Sequence, residues 1–336
     1  MNEPIDENER TPAVTALVVT YNRKALLLEC LEAITAQESP VVKIVVVDNA
    51  STDGTEDLFT EDGPLASSSL IDYNRMDSNL GGAGGFKEGL RIAAESGCEW
   101  VWLMDDDCIP YADTLSELLA AAEKIHADGQ DPSFLASCVY GPEGEFMNVP
   151  VVDARPTENG YADWYGKLAA GMVQIESATF VSLLINRKAI DTLGLPVGSF
   201  FIWGDDTEYT TRLTHFFGPA YLVGKSRVLH KRFNAKSLSI QNESDPKRIV
   251  NFHNLYRNNL IVQRYHHGRR AANKLLMRDI RLAVRCLGSG EGDVAVRRAR
   301  ASAIMTGLRE YLCSDFDLED LGKLIDSQSR DRSGHQ

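Results

Sequence analysis

The stretch "VTALVVTYNRKALLLECLEAITAQESPVVKIVVVD", residues 14 to 48, sets two short β-branched runs on either side of a segment with helical spacing. "VTALVVT" (14–20) and "VVKIVVVD" (41–48) lack apolar–polar alternation, so both are predicted to be strands buried on both faces. "RKALLLECLEAITAQ" between them predicts a helix, and strand–helix–strand is the repeating unit of a parallel α/β sheet. The alternation continues downstream. "NASTDGTEDLF" supplies polar cap residues and predicts the start of another helix, and a third strand is expected near "SLIDYN" (69–74). "NLGGAGGFKEGLRIAAESG" reads as a glycine-rich loop feeding a helix, and "EWVWLMD" as a fourth strand. Thr20, Asp48, Asn79 and Asp105 then all fall near strand carboxyl ends, where open parallel sheets bind their ligands.

The fourth strand stops at three consecutive carboxylates, Asp105, Asp106 and Asp107, in "WVWLMDDDCIP" (100–110). Adjacent carboxylates repel one another unless a cation or a ring of donors relieves them, and hard oxygen ligands select Mg2+ or Mn2+. Alternation in an extended segment predicts that Asp105 and Asp107 share one side while Asp106 faces another. A plainer alternative is a cap cluster for the helix expected over "YADTLSELLAAAEKI". A second acidic pair, Asp205 and Asp206 in "FIWGDDTEY", again follows aromatic residues and opens the helix expected over "DDTEYTTRLTHF". Two such clusters fit a metal site paired with a general base.

"FLASCVYG" (134–141) and "ESATFVSLLINRKAI" (176–190) are strand-like, and from Pro246 onward the pattern is helical, broken at "GSGEGD". The expected organisation is a flexible N-terminus (1–13), an α/β domain (14–245), a basic helical region (246–326) and a disordered tail (327–336). The 336 residues, 43% hydrophobic and 25% charged, describe a soluble globular chain. The acidic start "MNEPIDENERTPAV" lacks the features of a signal peptide, and no apolar run approaches the ~20 residues that cross a bilayer, so a cytoplasmic location is expected. The six cysteines, Cys30, Cys98, Cys108, Cys138, Cys286 and Cys313, have no zinc-site spacing and read as reduced, mostly buried thiols. The net charge of −13 hides an asymmetry, because residues 225–300 hold 18 Lys and Arg against 5 Asp and Glu. Such a segment is either a solvated helix face or a surface for anionic lipid, nucleic acid or a phosphorylated substrate. Two phosphate-binding signatures fail: "GPAYLVGKS" has five residues between its glycines where a P-loop has four, and "GGAGGFKEG" is out of register with G-x-G-x-x-G.

"VVTYNR", "VVVDNASTDGT", "NLGGAGGF", "WLMDDD" and "WGDDTEY", in this order and spacing over residues 14–232, resemble the family 2 glycosyltransferases. The resemblance implies a GT-A fold, a Rossmann-like, mostly parallel sheet flanked by helices and here followed by a C-terminal helical region. It also implies a sugar-nucleotide donor, Mn2+ or Mg2+ on an Asp-x-Asp, and inversion at the anomeric carbon. Within the family these motifs, with "HKR" beyond them, are most similar to bacterial galactofuranosyltransferases, which extend cell-wall or surface galactan from UDP-galactofuranose. Carried over by position, Thr20, Tyr21, Asn22 and Arg23 line the nucleotide site, Asp48 accepts from uracil or ribose, and Asn79 sits beside the diphosphate. Asp105, Asp107 and His230 hold the metal, and Asp106 touches ribose or the donor sugar. Asp206 is the general base with Glu208 as fallback, Asp205 caps its helix or meets the acceptor, and Trp203 stacks on a sugar. The implied acceptor is a glycan or glycolipid, including a polyprenyl-linked one, with the basic helices held peripherally on an anionic inner membrane face and no role for nucleic acid.

Related rhamnosyltransferases using dTDP-rhamnose share much of this pattern. A sugar nucleotidyltransferase would carry a Gly-rich basic loop where this chain has "TYNR". A glycosidase would hydrolyse simple glycosides, and an inactive binding module would take nucleotide without transfer.

Overall fold

The computed structural model describes residues 12–232, 238–289 and 293–313. Of the N-terminus expected to be flexible (1–13), residues 1–11 lie outside the described residues, as do the tail (327–336) and the end of the expected helical region after Cys313. The described chain divides into two compact units. The first takes the chain up to Asn79, Gly85–Leu195, and the chain from Leu213 to the end of the last strand; the second takes Leu80–Gly84, Pro196–Arg212 and the C-terminal helices.

The first unit is built on one sheet. β1 (Val14–Thr20) runs parallel to β2 (Lys43–Asp48) and to β4 (Trp100–Asp105), and β2 runs parallel to β3 (Ile71–Arg75). Beyond these lie β5 (Cys108–Pro110), β6 (Phe134–Tyr140), β7 (Phe146–Met147), β8 (Val151–Val152), β9 (Met172–Ser177), β10 (Leu183–Asn186) and β11 (Ala220–His230). The order is β3-β2-β1-β4-β10-β6-β11-β9-β8, with β5 on β11 and β7 on β6. β10 is antiparallel to both neighbours, whereas β6 and β11 are parallel. The buried runs of β1, β2 and β4 explain their lack of alternation: every residue of β1 is buried, as expected of a central strand covered on both faces. Succession reverses direction between β1 and β4, so the sheet opens there at its carboxyl end. α1 (Lys24–Thr35) buries Leu27, Cys30, Leu31 and Ile34 at helical spacing in the main core, which α3 (Thr114–Ala127) joins through Leu115, Leu118, Ala122 and Ile125.

Three local expectations are corrected. "NASTDGTEDLF" forms only a single 3-10 turn, Glu56–Leu58, because its polar residues bond elsewhere. Asp53 accepts from the Thr55 amide and hydroxyl and from the Lys24 amide, tying this loop to the start of α1. The strand-like 176–190 segment splits into the end of β9, the four residues of β10, and α4 (Arg187–Leu193), capped by the Asn186 side chain. Third, "GGAGG" is no loop, because α2 (Gly81–Glu95) starts within it. A Cβ on Gly85 would stand 2.6 Å from Val19 Cγ1 and 2.7 Å from Asn49 Nδ2, and one on Gly89 would stand 2.3 Å from Leu17 Cδ1. Glycines one helical turn apart therefore let α2 lie close on β1.

The second unit contains α6 (Pro246–His266), α7 (Gly268–Ser289) and α8 (Val294–Cys313), packed around Ile249, Phe252, Tyr256, Ile304 and Leu308. It also takes α5 (Asp205–Phe216) as far as Arg212, so the boundary expected at 245/246 is not where the packing divides. The reason is polar: Arg257 and Asn258 of α6 donate to carbonyls of residues 200–203. Among the described residues no helix is long and apolar enough to cross a membrane.

Gly85→Ala and Gly89→Ala check the α2 packing. Alanine in a helix interior ordinarily stabilises by about 1 kcal/mol, whereas overpacking costs about 1–3 kcal/mol. The crowding at Val19 and Leu17 makes the second effect win, so each variant has a lower Tm by calorimetry; a raised Tm contradicts the close contact.

Candidate functional site

The carboxyl ends of β1 and β4 bring the first cluster together. Thr20, the last residue of β1, donates from Oγ1 to Asp106 Oδ2 at 2.7 Å, both side chains being buried. Arg23, at the start of α1, reaches back with Nη1 to Asp106 Oδ1 at 3.3 Å and forms a second ion pair with Asp107. The expected alternation of the three carboxylates is therefore corrected. β4 ends at Asp105, the chain turns at Asp106 and Asp107, and both of these face one guanidinium. Burial pushes the Asp106 carboxyl up to about 6, against the pull of Arg23 and Thr20. Asp107 is also buried, yet His230 and Arg23 together hold its carboxyl below the usual range.

His230 arrives through a long-range pairing: β5 runs antiparallel to β11, setting Cys108 opposite His230, and the Lys231 amide donates to the Asp107 carbonyl at 2.8 Å. Nε2 of His230 stands 3.0 Å from Asp107 Oδ1, and its Nδ1 lies 2.9 Å from Asn148 Oδ1. Asp107 Oδ1 is buried and faces the His230 ring nitrogen. A buried carboxylate oxygen beside an imidazole nitrogen suits a hard divalent cation, so Asp107 and His230 fit that role. The full three-ligand set is not assembled: no group of three or more His, Cys, Asp or Glu side chains at metal-holding distance occurs among the described residues. Asp105 pairs in register with Val19 at the last position of β4.

The loops above this cluster are cross-tied. Asn22, at a φ of +55°, accepts from the Thr52 amide at 2.7 Å and donates its own amide to Ser51 Oγ at 2.9 Å. Asp48, expected to accept from the base or ribose, is fully buried and already accepts from the Ser51 amide (2.9 Å) and the Tyr73 hydroxyl (2.6 Å). It holds the loop after β2. Tyr21 is 44% exposed, and Asn79 lies on the surface just before α2.

Within the second unit, Phe201 and Trp203 take φ of +65° and +63°, followed by Gly204 at +91°. Such strain in bulky residues persists only where neighbours over-determine it. Here Asn258 Nδ2 reaches the carbonyls of Phe200 (3.0 Å) and Trp203 (2.7 Å), and Arg257 donates to Phe200 O at 3.1 Å. The strained turn delivers Asp205 and Asp206 to the first turn of α5, where helix N-terminal amides favour carboxylates. Burial, then the charge of Asp206, pushes Asp205 up to about 8, and burial likewise raises Asp206, whose Oδ1 accepts from the Thr207 amide. Trp203, expected on a sugar face, packs against Phe252 with ring centroids 4.8 Å apart. Glu208, the fallback base, is excluded: it is fully buried, ion-paired with Arg212 (2.9 Å) and beside His266 (3.3 Å), and these hold it below its ordinary value despite burial. Sequence reasoning missed Asn148, Arg257, Asn258 and His266. "NLYRNNLIVQRY" stood out as a segment but offered no sign of which carbonyls it serves.

Residues 15–148 match the family model described as glycosyl transferase family 2. The chain is 29% identical over 212 residues to galactofuranosyltransferase GlfT1 of Mycolicibacterium smegmatis, covering 60% of this chain and 66% of that protein. It is 32% identical to GlfT1 of Mycobacterium tuberculosis H37Rv, covering 60% of this chain and 65% of that protein. The match thus spans just under two thirds of these relatives' length. Among solved structures, the mannosyltransferase PcManGT from Pyrobaculum calidifontis in complex with GDP-Man and Mn2+ aligns with a TM-score of 0.55 at 19% identity, over 91% of this chain and 89% of that one. The expected GT-A fold with a C-terminal helical region holds.

Asn258→Ala removes the side-chain donor to the carbonyls of Phe200, Ile202 and Trp203. At about 1–3 kcal/mol for each buried group left without a partner, the variant unfolds at clearly lower denaturant concentration; an unchanged midpoint shows that the turn holds itself.

Proposed function

We propose, for a chain whose residues 15–148 carry a family 2 glycosyl transferase domain, that it is an inverting, metal-dependent glycosyltransferase. It moves galactofuranose from UDP-galactofuranose to a cell-wall or surface glycan acceptor. The observation that carries this reading is the convergence of Thr20, Arg23, Asp106, Asp107 and His230 at the carboxyl ends of β1, β4 and β11, in a chain 29% identical over 212 residues to a galactofuranosyltransferase. A rhamnosyltransferase using dTDP-rhamnose is the second reading, favoured only by the breadth of the shared motifs.

In this mechanism the loops at Asn22 and Asp48 shape the nucleotide seat. Asp107 and His230, with Asp105 drawn in, would hold Mn2+ or Mg2+. When bound, the cation offsets negative charge on the departing nucleoside diphosphate. Arg23 has its charge directed at Asp106 and Asp107, and it orients both carboxylates. Asp206 begins to take the proton of the acceptor hydroxyl, which is a poor nucleophile until a positioned carboxylate does so. Direct displacement then inverts the anomeric carbon with no covalent intermediate. Trp203 and Asp205 belong to the acceptor side, where a protonated Asp205 is a hydrogen-bond donor to a sugar oxygen. The exposed Arg269, Arg270, Arg278 and Arg281 hold the enzyme peripherally at an anionic inner membrane face. The enzyme works in the cytoplasm on a polyprenyl-linked or other glycolipid acceptor and does not bind nucleic acid.

The donor is read from thermal unfolding with UDP-galactofuranose, dTDP-rhamnose and UDP-hexoses, with and without Mn2+. The expected result is cation-dependent protection by UDP-galactofuranose; protection by dTDP-rhamnose alone moves the assignment to the second reading.

Asp206→Asn keeps the size and removes the basicity, so donor protection persists while turnover drops about 10²- to 10⁴-fold. Because burial raises Asp206, the proton-accepting form is lost as pH falls from above the ordinary carboxylate range. The acid limb of the rate profile therefore lies above pH 3.8. Near-normal turnover of Asp206→Asn, or a product that retains the donor's anomeric configuration, refutes the mechanism.

A further inference from the structure

The second unit contains a cavity of about 550 Å³ bounded by α6, α7 and the residues just before α6. α7 lines it with Arg278, Arg281, Leu282 and Arg285, an i, i+3, i+4, i+7 series that occupies one helical face. The rest of the lining carries the apolar Leu238, Ile240, Leu255 and Tyr256 together with the polar Ser239, Gln241 and Asn259. The arginines and the apolar side chains differ in what they can recognise. Guanidinium forks match phosphate oxygens in paired hydrogen bonds, whereas leucine and isoleucine gain from meeting methylenes.

The carboxylate nearest this cationic face is Asp279, which is fully buried and engages Arg278 through Nε at 3.0 Å. Arg281 and Arg285 have no carboxylate partner among the described residues, and both are exposed. Three cations on one face with a single neighbouring carboxylate leave a net positive pocket in a chain whose formal charge is −13. The volume falls within the range of small-molecule sites, about 300–1,000 Å³. A nucleic acid would want exposed aromatic faces to stack on, but the aromatic residue of this lining, Tyr256, is buried.

We propose that this cavity binds an alkyl or isoprenyl phosphate, with the phosphate on Arg281 and Arg285, flanked by Arg278, and the first carbons of the chain against Leu238, Ile240 and Leu255. It is a discrete lipid-phosphate seat, which goes beyond the diffuse attraction of a basic surface to a membrane. The seat does not depend on the transfer reaction, and nucleotide binding reports on that reaction separately.

The test uses the full chain and dodecyl phosphate below its critical micelle concentration, followed by titration calorimetry. Saturable binding of one molecule per chain is expected, at least tenfold tighter than inorganic phosphate or the uncharged dodecyl maltoside. Arg281→Gln combined with Arg285→Gln should weaken it at least tenfold, while Arg298→Gln with Arg309→Gln, exposed on α8, should leave it unchanged. Protection by UDP-galactofuranose should be the same in all of these variants, which also reports that they are folded. Competition identifies the source of the phosphate: displacement by monomeric dihexanoyl phosphatidylglycerol assigns the seat to bulk lipid headgroups, and displacement by farnesyl phosphate alone assigns it to an isoprenoid carrier. No saturable binding, equal binding of dodecyl maltoside, or equal weakening by the two arginine pairs overturns the proposal.

Discussion

A carboxylate withdrawn from water must be met by cations or donors, and the arrangement of this protein follows from how it meets four of them. Burying an ion without a partner costs several kcal/mol, far more than an exposed ion pair returns. Asp48 is met by a backbone amide and a tyrosine hydroxyl, and Asp106 by Thr20 and Arg23. Asp107 is met by Arg23 and His230, and Glu208 by Arg212 with His266 alongside. Each solution draws in a residue from a distant part of the chain or fixes a helical turn. The loops at the sheet's carboxyl end are therefore held by charge compensation as much as by packing.

The two clusters differ in an instructive way. In the first unit Asp106 and Asp107 share a half-exposed arginine, and the second oxygen of Asp107 has a single imidazole nitrogen beside it. In the second unit Glu208 is wholly enclosed with its partners, while Asp205 and Asp206 have no ion-paired cation among the described residues and are raised by burial. Full compensation makes a carboxylate structural, and incomplete compensation keeps it available for chemistry. The same contrast separates Glu208 from Asp206, which a spacing of two residues could not do.

Much of the sheet was legible in the sequence because the runs of β1, β2 and β4 have no other economical place than a doubly covered parallel sheet. α5 through α8 were legible from period and caps. What escaped was set by contacts rather than by local preference. β5 is three residues long, so nothing in "CIP" marked it as the strand that places Asp107 beside His230. The glycines of α2 read as a loop because glycine signals backbone freedom, and close helix-to-strand contact leaves the same signature. The triple Asp was correctly singled out, but its side chains follow a turn rather than the strand alternation assumed for them. The donors to the strained 200–203 carbonyls were unreadable, since a helical Asn and Arg carry no mark of the carbonyls they will meet.

The tether from α6 to the strained turn before α5 bears on how the chain can be divided. The family match ends at residue 148, and a fragment cut at residue 245 would retain every strand described. It would nevertheless lack Arg257 and Asn258, the donors that hold Phe201 and Trp203 in their unfavourable backbone conformations. Completeness of the sheet and completeness of the acidic turn are thus separate properties of the polypeptide. Modular borders drawn around the recognisable motifs divide the acidic helix from its own scaffold, and the smallest fragment that keeps both extends through α6.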